Sequence, residues 1–171
     1  KYIQKLMSVG ILNGVEKEGK RYIEPDRYIS RLELAAMVSR TMNVSDNNAS
    51  IPPFIDWESI LDWGKDYVKT AYNNNWIQGK IYDYGKVFAP NDYATRAEVA
   101  TIIGRLIKEN DTKECNFTDN NQIPDWAKEH ISKLVYHKII SGYNDGTFRP
   151  NNNITREEVA KILALFIESK I

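Results

Sequence analysis

Three tetrapeptides of one pattern, Ser30-Arg31-Leu32-Glu33, Thr95-Arg96-Ala97-Glu98 and Thr155-Arg156-Glu157-Glu158, each set a guanidinium close to a carboxylate. Ser or Thr followed three residues later by Glu marks a helix start at which each side chain bonds the other residue's backbone N–H. Capping therefore accounts for Ser30, Thr95 and Thr155 and for Glu33, Glu98 and Glu158. It leaves Arg31, Arg96 and Arg156 unexplained, because a cation on a first turn meets the positive end of the helix dipole at a cost of roughly 0.3 kcal/mol each. The chemistry that would relieve this is anion binding. Free N–H groups at the helix tip and the planar guanidinium fork both suit a carboxylate. The plainer alternative is a salt bridge from each arginine to an acid of a neighbouring repeat, with Asp56 and Asp119 as candidates.

The elements that must hold these arginines recur with them. The arginines fall at 31, 96 and 156 and a proline precedes each at 25, 90 and 150, so the two ladders keep the same steps and the repeat is about sixty residues long. Before each proline lies a segment ending in an aligned glycine: Gly10 to Gly14, Asn75 to Gly79 and Lys138 to Gly142. Repeats two and three also share a head, Phe54-Ile55-Asp56 with Phe117-Thr118-Asp119 and Asp62-Trp63 with Asp125-Trp126, which repeat one lacks. The spacing gives repeats at 1–44, 54–108 and 117–169, joined by polar connectors from Asn43 to Pro53 and from Lys108 to Asn116.

Within a repeat the apolar period predicts two helices. The first runs from the tryptophan to the glycine segment, with Ile131, Leu134, Val135 and Ile139 as its stripe in repeat three, and repeat one starts inside the corresponding helix. The second starts at the capping box, with Val99, Ile102, Ile103 and Leu106 as its stripe in repeat two. The aligned glycine reads as a left-handed helix cap and the stretch from it to the proline as loop without strand. One repeat is too small to bury its two-helix face, so the three must share a core. The expected fold is mainly α, three helix-loop-helix repeats in a pseudo-threefold unit around a central bundle of the three second helices, with an open solenoid as the alternative.

Composition removes several classes of function. The 23 basic and 23 acidic residues cancel, leaving no long-range field to draw in nucleic acid or an anionic membrane surface. No apolar run approaches the ~20 residues of a membrane span. Cys115 is the single cysteine and has no partner for a disulfide or redox pair. The two histidines, His130 and His137, complete no zinc motif, and Asp145 alone falls short of a calcium loop. Asp119 and Asp125 could serve glycoside hydrolysis only by converging across a sugar cleft, which nothing in their spacing requires. No cofactor, metal or catalytic residue is expected.

The order Phe-x-Asp, Trp-Ala, a Gly-terminated Ile motif, Gly-x-Phe-x-Pro and Thr-Arg-x-Glu, complete from Phe117 to Phe166, resembles the S-layer homology domain. The resemblance covers nearly the whole chain; Ser30-Arg31-Leu32-Glu33 in place of Thr-Arg-Ala-Glu, Gly64 in place of Ala and the missing first head depart from it. It implies a secreted module that holds a larger surface protein to a Gram-positive cell wall by binding a secondary cell wall polysaccharide, commonly one bearing pyruvyl ketals. On that reading Arg31, Arg96 and Arg156 hold the ketal carboxylate in grooves between repeats, assisted by Ser30, Thr95 and Thr155. Gly14, Gly79 and Gly142 let backbone approach a sugar ring, and Trp76 and Tyr143 stack on its apolar face. The alternative is a protein-interaction scaffold whose grooves accept acidic side chains of a surface-layer partner.

Overall fold

The computed structural model describes residues 1–45 and 48–169. Asp46 and Asn47, in the first expected connector, lie outside the described residues. Six α-helices occur in these: α1 Tyr2–Ser8, α2 Arg31–Met42, α3 Asp62–Asn73, α4 Arg96–Gly104, α5 Asp125–Tyr136 and α6 Arg156–Ser169. They start and alternate as the sequence predicts, and none is long and apolar enough to cross a membrane.

The first helices stop short of the aligned glycines. Each ends in a Schellman turn whose left-handed residue is Gly10, Asn75 or Lys138, at φ of 74°, 60° and 58°. The N–H groups of Ile11, Trp76 and Ile139 return to the carbonyls of Leu6, Ala71 and Leu134, and those of Gly10, Asn75 and Lys138 to Met7, Tyr72 and Val135. The capping role assigned to Gly14, Gly79 and Gly142 thus belongs four residues upstream. A Cβ on Gly142 would lie 2.8 Å from the Phe117 ring and 3.0 Å from the Thr147 carbonyl, so this glycine is required by close packing under the head phenylalanine.

The loops of repeats one and two contain strand, against the sequence reading. Strands β1 Val15–Lys17 and β2 Lys20–Tyr22 form one antiparallel hairpin, and β3 Lys80–Tyr82 and β4 Gly85–Val87 form another. The shorter third loop instead closes as a turn, Gly146 N–H to Tyr143 carbonyl. Phe54 and Phe117 pack beneath these loops against Phe88 and Phe148, with ring centroids 5.6 and 5.2 Å apart. Asp119 fastens its loop from the side, one carboxylate oxygen accepting the Phe148 N–H and the other the Arg149 N–H, both at 2.7 Å. Asp56 does the same for Phe88 and Ala89 at 2.8 and 2.7 Å.

The helices pair across repeats. Helix α3 of repeat two packs on α2 of repeat one, α5 of repeat three on α4 of repeat two, and α1 at the start of the chain on α6 at its end, where Lys5 meets Glu168 at 2.6 Å. The core is shared across repeats, as their small size requires, because each loop carries its second helix away from the first and onto the neighbouring repeat. Helices α2, α4 and α6 are buried on several sides: Leu34, Ala35 and Val38, with their counterparts Val99, Ala100, Ile103, Val159, Ala160 and Leu163, are all fully inaccessible. The alanine in each set lets the backbones come close. Just before the capping boxes, backbone hydrogen bonds close a ring, from Ile29 N–H to the Ile154 carbonyl, from Ile154 to Ala94 and from Ala94 to Ile29, at 3.0 to 3.1 Å.

Candidate functional site

The three helix tips carry no free N–H for an anion, which corrects the simplest form of the dipole argument. The first helical residue of α2, Arg31, donates its N–H to the Asp92 carbonyl at 2.9 Å and Leu32 donates to Pro90 at 3.2 Å. Glu33 N–H goes to Ser30 Oγ, and its carboxylate returns to the Ser30 N–H. Helix α4 repeats the pattern with Asn152, Pro150 and Thr95, and α6 with Arg27, Pro25 and Thr155. The proline six residues before each arginine thus supplies a carbonyl to a helix of another repeat, a role its lack of N–H does not impair. The hydroxyls of Ser30, Thr95 and Thr155 are engaged in these caps.

The guanidinium groups form a second ring, from each repeat to a capping glutamate in the next. Arg31 donates to the Glu98 carboxylate at 2.7 Å and through Nε to the Phe88 carbonyl at 2.7 Å. Arg156 reaches Glu33 at 3.4 Å and the carbonyls of Asn13 and Ile23. Arg96 reaches the Ser141 carbonyl at 2.8 Å, lies 3.8 Å from Glu158 and packs over the Tyr143 ring at 4.7 Å. The neighbouring acids are therefore the glutamates of the capping boxes; Asp56 and Asp119 are occupied by backbone N–H groups. Carbonyls and a carboxylate of adjacent segments supply the negative potential that the dipole argument sought in a ligand. Burial pushes the Arg96 and Arg156 pKa values below the ordinary arginine value, with Glu158 and Glu33 opposing the shift. Burial also raises Glu33 and Glu158, but hydrogen bonds outweigh it and hold both below the usual carboxylate range, chiefly from Arg27 to Glu33 and from the Thr155 N–H to Glu158.

An open cavity lies beside each arginine–glutamate pair, of about 350, 290 and 260 Å³. The first is lined by Arg31, Glu98, Gly79, Lys80, Arg105 and Trp126 among others. The second has Arg156, Glu33, Gly14, Arg40 and Trp63 in the same roles. The third has Arg96, Glu158, Gly142, Tyr143, Lys138 and Lys161. Each of the first two draws its arginine, its glutamate and its tryptophan from three different repeats, which is why no stretch of sequence displays the site.

Several lining residues were absent from the sequence-derived site, among them Arg40, Arg105, Trp63, Trp126 and Lys161. Arg40, in α2, and Arg105, which caps the end of α4, occupy one repeat position and, among the described residues, have no carboxylate partner: Arg105 donates to the Trp76 carbonyl and Arg40 to the Tyr67 hydroxyl. Their signal was legible, an arginine nine residues after Arg31 and Arg96, with Leu165 in its place in repeat three. Trp63 and Trp126 are 50% and 53% exposed, where tryptophan is more commonly core. Trp76, by contrast, is 8% exposed and sits in the core, so the aromatic face expected from it comes from the other two. Tyr143 does line its cavity, with its hydroxyl 2.7 Å from Glu158.

The sequence model of the S-layer homology domain matches residues 53–100 and 116–160, more than half of the chain. The chain belongs to the S-layer homology domain family. An amylopullulanase of Thermoanaerobacterium thermosulfurigenes is 32% identical over 85% of this chain and 8% of its own length. A cellulosome-anchoring protein of Acetivibrio thermocellus is 28% identical over 85% of the chain and 33% of its own length. An S-layer protein of Bacillus thuringiensis subsp. finitimus is 25% identical over 95% and 19%. The chain thus spans a third or less of each of these relatives. The S-layer homology matches begin at the Phe54 and Phe117 heads; residues 1–44 lie outside them, although α1, α2 and the Ser30 capping box reproduce the same hydrogen bonds.

Proposed function

We propose that this S-layer homology chain is a non-catalytic anchor that binds an acidic, pyruvylated wall polysaccharide in the cavities between its repeats. Like the surface-layer and cellulosome-anchoring proteins it resembles, it works at the cell surface, as part of a larger secreted protein. Helices α2, α4 and α6 form the central bundle of a pseudo-threefold unit, a reading supported by the closed ring of backbone hydrogen bonds and the ring of arginine–glutamate ion pairs around it. The observation that carries the ligand is positive charge in excess of each arginine–glutamate pair: Arg105 in the first cavity, where Lys80 is paired with Asp92, Arg40 in the second, and Lys138 and Lys161 in the third. Arg31, Arg156 and Arg96 form the cavity floors, and the unpaired cation meets the ketal carboxylate there. Gly79, Gly14 and Gly142 keep the backbone wall low, and Trp126 and Trp63 present a ring to the sugar.

Retention on purified cell wall, measured before and after mild acid removal of ketals, tests this. Binding is expected to be lost with the ketals. Undiminished retention overturns the glycan reading in favour of a protein-binding scaffold, and release of reducing sugar during incubation would contradict a non-catalytic module.

A further inference from the structure

The first cavity is walled in part by a hairpin whose tip its counterparts lack. Its wall runs through Lys80 and Ile81 of β3, and the next residues, Tyr82 and Tyr84, stand at the hairpin tip with ring centroids 5.1 Å apart and planes within 7°. Tyr82 and Tyr84 are 43% and 69% exposed. The hairpin is held to the body by the Ile55 N–H, which donates to the Lys86 carbonyl at 3.0 Å, and by Gly85, whose missing side chain lets Ile55 close in. The tip of the β1–β2 hairpin, Lys17-Glu18-Gly19-Lys20, carries charges instead, and the third loop has no hairpin.

A space of about 350 Å³ is at the small end of ligand pockets and encloses roughly one or two sugar units. A polymer bound there must leave along the surface. Stacked, anchored tyrosines present an outward aromatic face already fixed in orientation, so little side-chain freedom is lost when a pyranose ring settles its C–H face on it. We propose that Tyr82 and Tyr84 are a stacking subsite for the neutral sugar units that emerge from the first cavity. This rests on the glycan reading above and extends it to the residues that read chain length.

Titration calorimetry with a pyruvylated disaccharide, and with the same disaccharide extended by two neutral pyranoses at each end, tests the subsite on the whole chain. Wild type should bind the longer ligand more tightly. Y82A/Y84A should lose about tenfold on the longer ligand, or 1.4 kcal/mol, should bind the disaccharide as wild type does and should keep its thermal midpoint. Y82F/Y84F, which retains both ring faces, should match wild type on both. Equal affinity of wild type for the two lengths, or an unchanged longer-ligand affinity in Y82A/Y84A, overturns the subsite while leaving the cavity reading intact. Failure of wild type to bind either ligand overturns both. Loss of surface-layer assembly by Y82A/Y84A with glycan binding intact also overturns it, in favour of a protein contact.

Discussion

The backbone N–H of Leu32 ends on the carbonyl of Pro90, 3.2 Å away in the neighbouring repeat. This bond and its two counterparts make every second helix depend on a loop from elsewhere in the chain. A segment spanning 54–108 alone would lose α2 from beneath α3, α5 from above α4, and the Pro150 carbonyl from Ala97. It is expected to show little helix by circular dichroism at a temperature where the whole chain is folded. A cooperative helical signal from the isolated segment would contradict the cross-repeat packing.

Arg31 and Arg105 line the same cavity but carry different burdens. Arg31→Ala strands the Glu98 carboxylate and the Phe88 carbonyl, so a loss of about 3 kcal/mol is expected in urea unfolding. Arg105→Ala gives up one hydrogen bond to the Trp76 carbonyl, about 1 kcal/mol, yet should abolish most binding of a pyruvylated ligand to the first cavity. The two effects are separable by comparing unfolding midpoints with calorimetric affinities.

Asp119 binds two backbone N–H groups with two oxygens. Asp119→Ala leaves the buried Phe148 N–H and the half-buried Arg149 N–H without their acceptor and is expected to cost about 1–3 kcal/mol. Asp119→Asn keeps one carbonyl oxygen and should fall between wild type and Asp119→Ala. Identical unfolding free energies for the two variants would contradict the two-pronged contact.

Glu33 and Glu158 have native pKa values below the ordinary 4.5. A carboxylate depressed on folding stabilises above its unfolded pKa, and that contribution disappears as pH falls through the native value. Stability attributable to these groups should therefore be complete above about pH 5 and decline with further acidification. Glu33→Gln should be less stable than wild type at neutral pH and show a shallower acid decline. Parallel curves for the two proteins would exclude this source.

The recurrence of a sixty-residue unit, its two helices, the capping boxes and the place of Arg31, Arg96 and Arg156 beside them were legible in the sequence, because each rests on self-similarity or on contacts within one or two turns of chain. Ser30 and Glu33 find each other locally wherever that helix sits. The errors were of another kind. Gly14, Gly79 and Gly142 looked like caps; the constraint on Gly79 and Gly142 is the ring of a head phenylalanine, Phe54 or Phe117, that arrives from a distant segment. Arg31 looked uncomfortable on its helix because its partners, Phe88 and Glu98, are in another repeat.

By itself the sequence determined the six helices and the capping boxes that open the second helix of each repeat, since local hydrogen bonding and apolar period act over short spans; it showed neither the two hairpins nor the cations beside the arginine–glutamate pairs. Only the tertiary structure decided which helix packs on which, that the helix tips are sealed by proline carbonyls, and that Arg105 and Trp126 face one cavity with Arg31. Those relations depend on segments far apart in the chain being brought within a few ångströms, and no local period encodes which distant partner arrives.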